Sequence, residues 1–151
     1  MGENIRLKGE YEFSINYSNM FMNQWVTLTY SNTITEIGIE FFITKILTSN
    51  EEDKIQEIIF GTELIGEPEK AQITNFENPY RKPINDITHD QNTITLFLSN
   101  IRGENVRNTT AIGVIGLLDN KQILISNNTH NRINVPTTCI MNLKYTYTLT
   151  G

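Results

Sequence analysis

The sequence predicts a mainly β protein, an antiparallel β-sandwich of short strands with at most one or two short helices near the N-terminus. Its 151 residues include 22 Ile, 19 Thr and 19 Asn, a mixture of β-branched residues that favour strands and a residue that favours turns. Alanine, the best helix former, occurs only at Ala71 and Ala111. One core is the default at this length, so a single domain over residues 1–151 is expected.

The clearest predicted strand is the last one, over residues 139–149, where apolar and polar residues alternate. This period of two is typical of a half-buried antiparallel strand, and Pro136 is expected to mark its start. Cys139 is the only cysteine, which excludes an intrachain disulfide and predicts a small buried side chain. The inward residues are Cys139, Met141, Leu143, Tyr145, Tyr147 and Leu149, and the outward residues are Asn142, Lys144, Thr146 and Thr148.

A second alternating strand is predicted over residues 92–98. Ile94, Leu96 and Leu98 are expected to face inward, and Thr93, Thr95 and Phe97 outward. Because a large aromatic side chain is unusual on a polar face, Phe97 indicates either a second covering layer or a subunit contact.

The two apolar runs Ala111–Leu118 and 122–125 flank Asp119, Asn120 and Lys121, residue types that suit a tight turn. The pair is predicted to form a β-hairpin. Gly113 and Gly116 within the first run indicate a bulge or a close backbone approach, or else weak points of an ordinary strand.

Residues 33–47 are rich in Ile and Phe and predict a further strand, with Ile37, Ile39, Phe41 and Ile43 on one face. Its partner is predicted at residues 54–60, across a turn at residues 49–53. A helical alternative for this partner rests on a Ser49–Glu52 capping box and on Ile residues at helical spacing, but the β-branched content and Gly61 favour a strand.

Two segments are less defined by their residue pattern. Residues 20–30 fit either a helix or a strand, and both remain open. Residues 63–90 contain three of the four prolines, which predicts a long ordered loop or a pair of extended crossings.

Charge and hydropathy indicate which classes of partner are expected. The net charge is −5, and no cluster of Lys and Arg is dense enough to neutralise several phosphates, so no nucleic-acid partner is expected. The apolar runs are too short for a membrane-spanning helix, and the charged amino terminus does not fit a secretory signal. We therefore expect no membrane partner.

No group of residues fits a known catalytic or metal-binding pattern. The GxSxG turn of serine hydrolases is missing, and His89 with Asp86 and Asp90 matches no metal-ligand spacing. Glu36, Glu40 and Glu57 could face one another across the first hairpin, but outward carboxylates are ordinary on a solvated sheet face. The residues therefore predict no enzyme, no catalytic residue, no metal and no cofactor.

An ordered set of motifs runs from residue 61 to the end of the chain. Gly61-Thr62 is followed by Phe76-Glu77-Asn78 and by the segment 80–84, then by the hairpin with its Ile115-Gly116-Leu117 sequence, and finally by Pro136 and an alternating strand that ends in Tyr145, Tyr147 and Leu149. This carboxy-terminal part, residues 61–151, resembles the tail-collar-fibre and baseplate modules of tailed bacteriophages.

The resemblance implies a β-sandwich-like structural adaptor of the virion tail, assembled in the cytoplasm of a bacterial host. Its expected partners are other tail, baseplate or fibre proteins and further copies of the chain as a homo-oligomer, with residues 1–60 as the attachment part. Tyr80, Phe97, Glu36 and Glu40 are the predicted interface residues. The alternative is a carbohydrate-binding β-sandwich, in which Trp25, Tyr11, Tyr17 and Tyr30 would stack on a sugar ring.

Overall fold

The computed structural model describes residues 6–16, 25–48, 54–133 and 138–150. It is 58% strand, with antiparallel sheets and two short α-helices in the described part, which confirms the predicted mainly β, β-sandwich-like fold class. In chain order the elements are β1 (Arg6–Asn16), β2 (Trp25–Ser31), β3 (Thr33–Ile34), α1 (Glu36–Thr48), β4 (Lys54–Gly61), β5 (Glu63–Leu64), β6 (Phe76–Glu77), β7 (Tyr80–Pro83), β8 (Asp86–Asp90), β9 (Thr93–Arg102), α2 (Gly103–Val106), β10 (Ala111–Leu118), β11 (Lys121–Thr129) and β12 (Ile140–Thr150).

The chain forms two compact units, each assembled from separate stretches of sequence. The first unit comprises Met1–Asn32, Ile84–Arg107 and Asn134–Gly151, and the second comprises Thr33–Pro83 and Asn108–Ile133. The boundary expected between residues 60 and 61 falls inside β4, a strand of the second unit.

The first unit contains a five-stranded antiparallel sheet in the order β2-β1-β12-β9-β8. Strand β12 confirms the predicted alternation, because Cys139, Met141, Leu143, Tyr145 and Tyr147 are all buried. Tyr11 of β1 stacks on Tyr145 with ring centroids 5.4 Å apart. Each large apolar side chain buried in this way contributes roughly 1.5–3 kcal/mol to folding, so this row of residues stabilises the sheet.

Strand β9 also confirms its predicted faces. Leu96 and Leu98 are buried, Ile94 is half-buried and Phe97 is exposed. A register shift between Met141 and Leu143 interrupts the pairing of β12 with the end of β9.

The second unit contains a five-stranded antiparallel sheet in the order β3-β11-β10-β4-β7. The predicted hairpin is confirmed as β10 and β11. Asp119 and Asn120 form its two-residue loop with φ angles of 50° and 63°, the left-handed pair that suits the twist of a hairpin. The pairing register shifts between Val114 and Ile115 on the β11 side and between Ile115 and Gly116 on the β4 side, so the pairing of β10 is irregular near Gly116.

The stretch between β4 and β7 covers part of this second sheet. Phe76 and Ala71 pack with Ile59, Ile115 and Leu124 in one buried cluster that also includes Ala111. Gly113 allows this packing, because a Cβ atom there would lie 2.8 Å from Phe76 Cζ. The proline-rich segment is therefore mainly short strands and turns, with Pro68–Lys70 and Ile73–Asn75 as single 3₁₀ turns.

The predicted strand over residues 33–47 is wrong beyond its first two residues. The chain forms only the short strand β3 and then helix α1. The hydroxyl of Thr35, just before α1, accepts a hydrogen bond from Gly38 N–H at 2.9 Å, which caps the first turn. The buried residues Thr35, Gly38, Phe41 and Phe42 recur at helical spacing, whereas Ile37, Ile39 and Ile43 are exposed.

The predicted partner of that strand does form a strand, but it pairs elsewhere. Strand β4 lies between β10 and β7 instead of completing a hairpin with residues 33–47. The strand interpretation of residues 54–60 is therefore confirmed and the hairpin is wrong. For residues 20–30, the described portion from Trp25 onward is strand, whereas Pro136 and the Ser49–Glu52 capping box lie outside the described residues.

Candidate functional site

Phe97 lies in a row of residues that crosses four strands of the first sheet. The register places Lys144 and Asp86 directly opposite Phe97 on the two neighbouring strands, and Glu12 opposite Lys144. Residues opposite one another share a sheet face, so the aromatic ring is flanked by an ammonium group and a carboxylate. Phe97 is 37% exposed, and an accessible aromatic ring bordered by charged groups is a usual composition for a protein interface.

The strand beside Phe97 is the edge of its sheet. All five residues of β8 are exposed, Ile87 by 45%, and among the described residues β8 pairs only with β9. Asn85 fixes the start of this edge: its N–H donates to Phe97 O at 2.9 Å, and its Oδ1 accepts from Ser99 N–H at 2.8 Å. The exposed aromatic side chain therefore lies beside the sheet edge, and we call the surface formed by Phe97, Asp86 and Lys144 the Phe97 face.

The other predicted interface residues belong to the second unit. Tyr80 is half-buried on β7 and stacks over Phe60 with ring centroids 6.1 Å apart. Glu36 and Glu40 are exposed one turn apart on helix α1, so they do not face Glu57 across a hairpin, and that expectation is wrong. Glu57 instead accepts a hydrogen bond from Arg81 Nε at 2.7 Å.

Among the described residues, no three His, Cys, Asp or Glu side chains come together in a group that could hold a metal ion. Asp86 and Asp90 point to one face of β8 and His89 to the other, because successive strand residues alternate. Burial lowers the pKa of His130, and a hydrogen bond with the Asn131 backbone partly offsets this by raising the pKa. Burial raises the pKa of the Cys139 thiol, and a hydrogen bond with the Gly103 backbone partly offsets this by lowering the pKa. The predicted burial of Cys139 is confirmed.

The aromatic platform of the carbohydrate-binding alternative loses one of its members. Tyr11 is fully buried in the stack with Tyr145, so its ring cannot meet a sugar. Tyr17 and the side chains of Trp25 and Tyr30 lie outside the described residues.

A groove of about 700 Å³ in the second unit has no counterpart in the sequence analysis. Three segments line it: residues 35–37 at the start of α1, residues 69–74, and residues 122–124 of β11. Its position depends on the chain turning into a helix after β3, and no residue type or spacing signals that turn as a binding site.

No known protein family matches the chain, and comparisons with curated proteins and with solved structures return no significant match either. Within the described residues, every helix is too short or too polar to traverse a lipid bilayer.

Proposed function

We propose that the chain is a non-enzymatic structural component of a phage tail or baseplate, an oligomeric adaptor that connects the tail to receptor-binding fibres. The single observation that carries the adaptor role is the Phe97 face, where an exposed aromatic ring lies on the strand next to an open sheet edge. An exposed strand edge is a template for pairing with another chain, and a central aromatic residue with a charged rim is the usual composition of a binding hot spot.

The ordered motifs of residues 61–151 support the tail assignment. Two of their parts meet in the fold: Thr62 N–H donates to Glu77 O at 2.9 Å, and Asn78 Nδ2 donates to Thr62 Oγ1 at 3.1 Å. Asn78 has a φ of 45°, a left-handed conformation that asparagine tolerates better than most residues. These two motif segments thus share one local structure.

Sedimentation equilibrium of the purified chain tests the proposal, alone and mixed with the products of the neighbouring genes. Phe97→Ala should weaken association about 30-fold or more, because a hot-spot aromatic contributes at least about 2 kcal/mol. Ile65→Ala is the matched control, since Ile65 is 49% exposed in the other unit. A chain that stays monomeric at micromolar concentration and binds none of these products would contradict the proposal.

A further inference from the structure

Strand β11 is nine residues long. One of its edges is paired along the whole strand, and the other edge is paired along only part of it. On one side β10 pairs with it from Lys121 to Thr129. On the other side β3 pairs only with Ser126 and Asn127, and Thr35 N–H adds a last hydrogen bond to Ile125 O at 2.9 Å. The chain then enters α1, so residues 121–124 have no strand partner on this edge among the described residues.

The groove runs along this unpaired stretch. Residues 122–124 of β11 form one wall, and the start of α1 and residues 69–74 form the others. Ile37 is 40% exposed at the helix side, Ile73 is half-buried opposite, and Ile123 and Leu124 are buried at the strand. Leu124 O accepts from the Thr35 hydroxyl at 2.6 Å, and no strand pairs with this edge before that point among the described residues. A strand edge without a strand partner, beside apolar walls, is the arrangement by which proteins bind an extended peptide as an added strand.

The size and charge of the groove restrict what can occupy it. Four strand residues span about 13 Å, and a volume of a few hundred Å³ is typical for a bound ligand of this size. Among the described lining residues, Glu36 and Glu69 are acidic, and Lys70 is the single base, 4.0 Å from Glu67 outside the groove lining. The net negative lining favours a basic side chain on the occupant.

We infer that the groove beside β11 binds an extended segment of another polypeptide, which adds a strand to residues 121–124, places alternate apolar side chains against Ile37 and Ile73, and carries at least one Lys or Arg. This site lies in the second unit and goes beyond the proposed function. It stands even if the Phe97 face binds nothing.

A small peptide library tests this inference on the intact chain. The library consists of capped hexapeptides in which Val, Ile, Leu or Phe alternates with Thr or Lys, and binding is measured by fluorescence anisotropy. Members with Lys should bind best. Replacing Lys by Glu, or N-methylating alternate backbone amides of the best binder, should weaken its binding at least about tenfold. Bound peptide should slow hydrogen exchange of the amides of residues 121–124.

Two substitutions on one helix give a matched comparison. Ile37→Lys places a charge in the groove and should weaken peptide binding at least about tenfold. Ile39→Lys changes a side chain that is 48% exposed and does not line the groove, so binding should stay within about twofold. Both side chains are exposed, and thermal unfolding checks that both variants remain folded.

Several results would overturn the inference. They are a library in which no member binds more tightly than about 1 mM, equal binding by the two Lys variants, or bound peptide that leaves the exchange of residues 121–124 unchanged. Weaker self-association in Ile37→Lys, without peptide binding to the native chain, would assign the groove to a second copy instead. Phe97→Ala should keep peptide binding, so failure here is distinguishable from failure of the proposed function.

Discussion

Replacing Thr35 by Val should destabilise the protein by about 2–4 kcal/mol. The side chain is buried, and its hydroxyl makes three contacts: it accepts from Gly38 N–H at 2.9 Å and lies 2.6 Å from Leu124 O and 3.0 Å from Ile125 O. Loss of a helix cap costs about 1 kcal/mol, and a buried carbonyl left without its donor costs about 1–3 kcal/mol more. Val has nearly the same shape as Thr, so the effect isolates these hydrogen bonds.

Urea unfolding monitored by circular dichroism measures this prediction. With a slope of about 2 kcal/mol per molar, the unfolding midpoint of Thr35→Val should fall by about 1–2 M. The matched control is Thr33→Val, the same exchange two residues earlier in β3, where a β-branched residue fits the strand and the change should be within about 0.5 kcal/mol. Equal midpoints for the two variants would refute the capped helix start and favour an extended chain at this point.

Two further predictions concern the second unit. Gly113→Ala should lower the free energy of unfolding by about 1–3 kcal/mol, because the new Cβ would lie 2.7 Å from Leu124 Cδ1 and 2.9 Å from the backbone oxygen of Ser126. An unchanged urea midpoint would contradict the close approach. Because burial lowers the pKa of His130, the unfolded chain binds a proton more readily than the folded one, so stability should fall as the pH drops below about 6.5. Urea midpoints at pH 7 and pH 5.5 should differ less in His130→Asn, and equal differences in both proteins would rule out this contribution.

Local patterns in the sequence predicted the elements whose environment is set by their own alternation. The buried row from Cys139 to Tyr147 follows from a period of two, and the Asp119-Asn120 loop follows from residues that tolerate positive φ. The exposure of Phe97 was predicted on the same grounds. For the two strands, neighbours in the chain already specify which side meets the core. For the loop, the two turn residues themselves specify the backbone conformation.

Helix α1 shows where that local information ends. Residues 37–43 are apolar on nearly every side, so their hydrophobic pattern has no clear period and fits a strand as well as a helix. The hydrogen bonds of Thr35 to β11 and the absence of a Cβ on Gly38, which lets the helix approach Ile125, decide between the two. The two hydrogen bonds join residues that are 89 and 90 positions apart in the sequence. No local sequence pattern contains such information.

The amino-acid order alone determined the fold class, the hairpin and the faces of β9 and β12, because these features depend on contacts between a residue and its sequence neighbours or its own strand. Only the tertiary structure decided the pairing of β4, the helix after β3 and the groove along β11. A groove is formed by segments distant in sequence, and its existence here follows from β3 ending after two residues and leaving part of a longer strand without a partner.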